Sequence, residues 1–213
     1  MRLRFGAKAT VSDQVEAGVR FATGTNLDPT STNQSFQDVF DKKDLFVDLA
    51  YLKLSTAGLD QFESVPLTLW GGKFETPWSF TGLVWDSDLT PEGVALSLAP
   101  AMGPVTLSTT GGVFPIDELA ANGEDPALWL AQAGVSWSVA PEAAEEWLKH
   151  LTVKGAMTYY DYMNLDQGID TTNSNRFGNT VQTASSAGTT LFQFDYNEWD
   201  LMGEIHSMLF SSG

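Results

Sequence analysis

The opening residues alternate in character. Leu3, Phe5, Ala7, Ala9 and Val11 are apolar, whereas Arg2, Arg4, Lys8 and Thr10 between them are charged or polar. A period of two sends successive side chains to opposite faces and predicts a strand with one apolar face. Ser12-Asp13-Gln14 predicts a tight turn, after which Val15, Ala17, Val19 and Phe21 alternate with Glu16, Gly18 and Arg20. The two segments form a hairpin. Further strands are predicted over 45–55, 66–74, 92–99, 104–113, 128–139 and 150–161, and from 191 to near 209. Several run to about 9–12 residues, long enough for a tilted strand to cross a bilayer, whereas a strand of a soluble sheet has about 5–6.

The strand from Leu128 carries larger side chains in the same pattern. Trp129, Ala131, Ala133, Val135, Trp137 and Val139 face one way, and Gln132, Gly134, Ser136 and Ser138 the other. Tryptophans near opposite ends of a strand match the aromatic girdles at the two membrane interfaces, the alternative being ordinary core tryptophans. At Lys73 the alternation breaks. Leu67 and Leu69 share a face, and the same parity would put Lys73 in lipid at about 2–4 kcal/mol near the midplane. Either a bulge at Gly71-Gly72 turns Lys73 inward, or Lys73 ends its strand and snorkels.

The connections alternate in length. Those over 12–14 and 101–103 are short, 56–65 and 140–149 intermediate, and 25–44, 75–91, 114–127 and 162–190 long. Short periplasmic turns and long extracellular loops are the habit of membrane barrels, which assigns the Asp13 turn to the periplasm. The first strand then runs inward from outside, and about nine strands are legible where bacterial barrels use an even number. The expectation is a single β-barrel domain over 1–213 that is incomplete at both ends, lacking at least one strand before Met1 and a closing strand after Gly213.

Composition narrows the function classes. Eleven Lys and Arg against 27 Asp and Glu give a net charge of -16, which disfavours nucleic acid as a partner. The absence of Cys removes disulfide scaffolds, thiolate metal sites and cysteine nucleophiles. No apolar run approaches the roughly 18 residues of a membrane helix, and the start of the chain lacks the apolar segment of a signal peptide. These facts suit a soluble acidic β-protein and a membrane barrel equally.

The order of residues resembles the bacterial "putative porin" family of outer-membrane β-barrels. Early matching stretches are Arg2-Leu3-Arg4-Phe5-Gly6-Ala7, Ala17-Gly18-Val19-Arg20-Phe21-Ala22-Thr23-Gly24 and Pro29-Thr30-Ser31-Thr32-Asn33-Gln34. Ala50-Tyr51-Leu52, Gly71-Gly72-Lys73-Phe74, Leu83-Val84-Trp85-Asp86-Ser87-Asp88-Leu89 and Pro91-Glu92-Gly93 follow. Tyr159-Tyr160-Asp161-Tyr162 and Phe177-Gly178-Asn179 come later. The resemblance implies an all-β, antiparallel, up-and-down transmembrane barrel, of about 16 strands when whole. It implies an integral protein of the Gram-negative outer membrane and a passive, water-filled diffusion channel for small hydrophilic solutes or ions, not an enzyme. Lipid and lipopolysaccharide would contact its outside, and a homotrimer is an assembly open to such a barrel. No cofactor, metal or catalytic residue is expected. The alternative is a secreted β-sandwich or jelly-roll carbohydrate-binding module using exposed Trp70, Trp78 and Trp85.

Within the barrel reading, Arg2, Arg4, Lys8, Glu16, Arg20, Asp48, Lys73 and Lys154 are the pore-lining candidates. The 75–91 connection, with Glu75, Asp86, Asp88 and Glu92, is the candidate mouth or constriction loop. A basic wall under an acidic mouth would favour anions, unless the charges pair with one another. From Asp86, an EF-hand would need Gly and Glu where Pro91 and Ser97 stand, so that calcium motif fails. A glycosidase carboxylate pair is the minor alternative for Asp86 and Asp88. His150 and His206 lack partners at metal-ligand spacing and read as surface or lumen residues. Glu142, Glu145 and Glu146 before Trp147-Leu148 read as a solvated helical turn in a periplasmic connection.

Overall fold

The computed structural model describes residues 1–25, 29–34, 42–118, 125–138, 151–168, 180–183 and 190–207. Their strands are β1 (Arg4–Ser12), β2 (Val15–Thr23), β3 (Leu45–Ser55), β4 (Leu67–Lys73), β5 (Glu92–Leu98) and β6 (Ala101–Met102). After these come β7 (Val105–Pro115), β8 (Ala127–Ser138), β9 (Thr152–Met163), β10 (Val181–Thr183), β11 (Thr190–Phe192) and β12 (Tyr196–His206). Asp60–Phe62 and Leu165–Gly168 form short helical turns inside connections.

The long strands pair antiparallel in the order β1-β2-β3-β4-β5-β7-β8-β9-β12, and β6 joins beside β7 to complete a ten-stranded sheet. The alternation predicts one-faced antiparallel strands, and the all-β, up-and-down, barrel-like order is the one that the family resemblance implies. Among the described residues the sheet is open, with β1 and β12 as its edges. Two details differ from the sequence reading. Pro100 has no N–H to give to the ladder, so the hairpin to β7 is interrupted and Ala101–Met102 resumes it as a separate strand. The segment from 191 is not one strand: Thr190–Phe192 pairs with Val181–Thr183 in a small second sheet. The chain then turns where the Asp195 carboxylate accepts the Leu165 N–H at 2.8 Å, before β12 begins.

Register lines up side chains in rows on each face of the sheet. Thr110, Gln132, Thr158 and Asp200 stand in a row across β7, β8, β9 and β12. One position along, Thr109, Ala133, Met157 and Leu201 form a row on the opposite face. That second face is the apolar one, and it lies open: Leu201 is 71% and Ile205 73% exposed, with Val94, Trp129, Val135, Trp137 and Trp199 also exposed. A soluble monomer rarely leaves so continuous an apolar surface bare. Trp129 and Trp137 lie eight residues apart on β8, about 27 Å along the strand and about 21 Å along the normal of a sheet tilted like a barrel wall. That spacing suits aromatic girdles at the edges of an apolar band about 25 Å tall. Trp199 and Tyr159, opposite each other with ring centroids at 4.7 Å, add two more rings near the Trp129 end of β8.

The buried cluster lies on the other face. Phe74, Trp78 and Trp85, from the connection between β4 and β5, pack with Ala95, Phe114, Leu128, Leu130 and Tyr160. The connection 74–91 therefore folds over the polar face of the sheet. Asp88 in it meets Arg4 at 3.1 Å, while Thr81 meets Asp200 of β12. Laid flat, nine strands would hold β1 and β12 about 38 Å apart. Turns closed by the Val84, Trp85 and Leu89 N–H groups keep Thr81 and Asp88 within about 20 Å. Side chains stand roughly perpendicular to a sheet, so both ends reach this short stretch only if the sheet curls with its polar face inside.

Candidate functional site

The 74–91 connection is held against β8, β9 and β12 by neutral and aromatic contacts around one carboxylate. Gln132 accepts the Ser79 N–H at 3.0 Å, and its amide donates to Ser79 O at 2.6 Å and to the Thr158 hydroxyl at 2.6 Å. Asp200, 4% exposed, receives both the N–H and the hydroxyl of Thr81. Trp78 Nε1 donates to Tyr160 Oη at 3.0 Å, and the Trp85 ring stacks on Tyr160 at 5.8 Å. Fully burying a large aromatic is worth about 1.5–3 kcal/mol, so this side of the loop is firmly seated.

Toward β1, β2 and β3 the same connection is held by charge. Arg2 reaches Asp88 at 2.7 Å and Arg4 reaches it at 3.1 Å. Arg4 also lies 3.5 Å from Asp48, without a hydrogen bond from its Nε. Arg20 binds Asp48 at 2.5 Å and pairs with Glu75. The result is a chain of alternating sign, Arg2-Asp88-Arg4-Asp48-Arg20-Glu75, with three cations against three carboxylates. Burial alone would raise the Asp88 carboxyl pKa, but Arg2 and Arg4 outweigh it and hold the group below the ordinary carboxylate range.

A backbone irregularity makes this chain. Strict alternation would place Asp48 on the lipid side with Ala50, Leu52 and Leu54. The pairing slips between Arg20 and Phe21 of β2, which face Leu49 and Val47, leaving Asp48 as the extra residue of a bulge. Asp48 and Leu49 are both buried in consequence, as a bulge that re-aims a side chain allows.

The remaining candidates divide into three groups. Lys8 reaches Glu16 at 3.1 Å, and Glu16 also accepts the Tyr51 hydroxyl at 2.9 Å, below the arginines on the same face. The Tyr51 ring lies across Gly18, where a Cβ would collide with it. Lys154 stands 3.8 Å from Glu204, which also contacts exposed His206, far round the sheet on β9 and β12. The third group sits apart from the chain of charges. Pairing continues through Gly71-Gly72 without slippage, so no bulge turns Lys73; it ends β4 and its amine donates to Thr90 O at 2.7 Å. Asp86 caps a local turn by accepting the Asp88 N–H at 2.7 Å, and Glu92 is exposed opposite Lys73. Among the described residues no three metal-ligating side chains gather. His150, Glu142, Glu145, Glu146, Trp147, Leu148, Phe177, Gly178 and Asn179 lie outside the described residues.

The sequence reading found the loop and the arginines but not what seats the loop. Gln132, Thr158, Tyr160 and Asp200 sit on the polar parity of their strands like any pore-facing residue. Only the register that lines up Gln132, Thr158 and Asp200 shows them to be one anchoring row.

A curled, open up-and-down sheet with a bare apolar outer face and one of its own connections packed on its inner face is a β-barrel-like fold. The chain belongs to the "Putative porin" family, whose model matches residues 1–202. No curated protein matches the chain. The carbohydrate-module alternative loses its platform, since Trp78 and Trp85 are 5% and 4% exposed inside the cluster and Trp70 lies under the Lys53 amine at 5.8 Å.

Proposed function

We propose that the chain forms the wall and constriction of a passive, water-filled channel of the Gram-negative outer membrane, passing small hydrophilic solutes or ions. The observation that carries this reading is the placement of the 74–91 connection. A soluble protein builds its core between apolar sheet faces, whereas here the apolar face is bare and the loop narrows the polar side. On this reading Arg2, Arg4, Lys8, Glu16, Arg20, Asp48 and Lys154 border the aqueous path, and Glu75 and Asp88 belong to the constriction. Among the described residues β1 and β12 are the edges of the sheet, and lipid cannot satisfy a bare edge, so a channel in the membrane requires both edges to be paired. The bore depends on the number of strands in the closed wall.

The test is electrical. Native full-length protein, extracted in detergent and checked for heat-modifiable migration on a gel, is added to a planar bilayer under a salt gradient. Discrete conductance steps are expected. A correctly inserted barrel that passes no current at any voltage ends the channel reading.

A further inference from the structure

We propose that the ion preference of this pore is set by the loop carboxylates Asp88 and Glu75, which together with Asp48 of the wall cancel the three arginines, and not by the arginines themselves. The inference rests on the channel reading above and adds the residues that determine its selectivity. The cations of the chain all belong to the wall or its entrance: Arg2 beside β1, Arg4 on β1 and Arg20 on β2. Of the three carboxylates only Asp48 is on the wall; Asp88 and Glu75 come from the connection between β4 and β5. With the loop seated, the group is neutral. With those two carboxylates removed, three arginines face one aspartate and the wall carries a net charge of +2.

Geometry makes Asp88 the dominant member. It bridges two arginines at once, and its side chain is 20% exposed against 69% for Glu75, so solvent screens it less. Arg4 is the link between the halves, since it touches both Asp88 and Asp48. Fixed charge of one sign beside a narrow aqueous path selects permeating ions of the other. Seating of the loop against β8, β9 and β12 rests on Gln132, Tyr160 and Asp200 and uses none of these charges. The seating against β8, β9 and β12 is therefore expected to survive removal of these charges, even where 86–90 loosens.

The experiment measures reversal potential in a potassium chloride gradient for the native full-length protein and for D88N/E75Q. The native channel is measured first, so that absence of current there counts against the channel reading and not against this assignment. The double variant is expected to conduct and to shift its permeability ratio several-fold toward chloride, with D88N alone giving most of the shift. An unchanged reversal potential in a conducting double variant overturns the proposal. A second route avoids any question of folding, because the 213 residues contain no cysteine. D88C channels already inserted are treated with a sulfonate-bearing or a trimethylammonium-bearing methanethiosulfonate. The sulfonate should restore the native reversal potential, and the ammonium should move it further toward chloride. Identical potentials after the two treatments, with modification confirmed by mass, overturn it as well.

Discussion

The Asp200 carboxylate receives the Thr81 main-chain N–H on one oxygen and the Thr81 hydroxyl on the other, each at 2.7 Å. The two residues lie 119 positions apart, so this contact fastens the middle of a connection to the far edge of the sheet. Hydrogen bonds to a charged acceptor are worth about 1.5–3 kcal/mol each. D200A should therefore destabilise the seated loop by about 2–3 kcal/mol. The expected signature is raised open-channel current noise and faster proteolysis within 74–91, with the sheet still heat-modifiable. A quiet, protected D200A channel would show that the aromatic contacts hold the loop unaided.

Acid should act on the opposite side of the loop. The Asp88 pKa is held down in the folded protein by Arg2 and Arg4. A carboxylate with a depressed folded pKa adds stability that is complete above its unfolded value of about 3.9 and is lost as pH falls through the lower folded value. Protection of 86–90 against hydrogen exchange, relative to the unfolded chain at the same pH, should stay flat from neutral pH to about 4 and then fall, and D88N should be poorly protected throughout. A loss of protection centred near neutrality would point to a different group.

Tyr51 and Gly18 should behave as a pair. A methyl at Gly18 must push the Tyr51 ring off the wall and away from Glu16. G18A should lower stability by about 1–3 kcal/mol, the usual range for overpacking. In Y51A, where the ring is gone, the same change should cost much less, and a double-mutant cycle in thermal unfolding measures the difference. Simple additivity would mean that the ring and the glycine do not interact.

Ala133 gives a test of the bilayer itself. It lies on the exposed apolar face midway between Trp129 and Trp137. In water, an arginine there would be nearly neutral; at a bilayer midplane it costs about 2–4 kcal/mol. A133R should assemble poorly into membranes, while S136R on the inner face should assemble well. Equal tolerance of both would place the apolar face outside lipid.

Much of this was legible because a period of two is rigid. Once Leu3 and Phe5 define a face, every long strand inherits it, and lengths near 9–12 residues point to a bilayer. Asp48 is assigned to the polar face by its charge although strict alternation puts it on the apolar parity, and the bulge beside Leu49 is what turns it inward. The division at Gln193–Asp195 was hidden for a related reason: Leu191 and the residues after it continue an acceptable alternation, and the turn depends on Asp195 finding Leu165. The anchoring row of Gln132, Thr158 and Asp200 could not be read at all. Its members lie in separate strands, and what unites them is register.

The loop's partners on β1, β2, β8, β9 and β12 have a consequence in time. Its full set of seats exists only once strands from both ends of the sheet stand in place, and the Trp78 to Tyr160 contact alone bridges 82 positions. Complete plugging therefore follows assembly of these strands. On the channel reading, every newly built molecule is at first an unregulated hole of wider bore, and becomes a sieve only when residues 74–91 drop home.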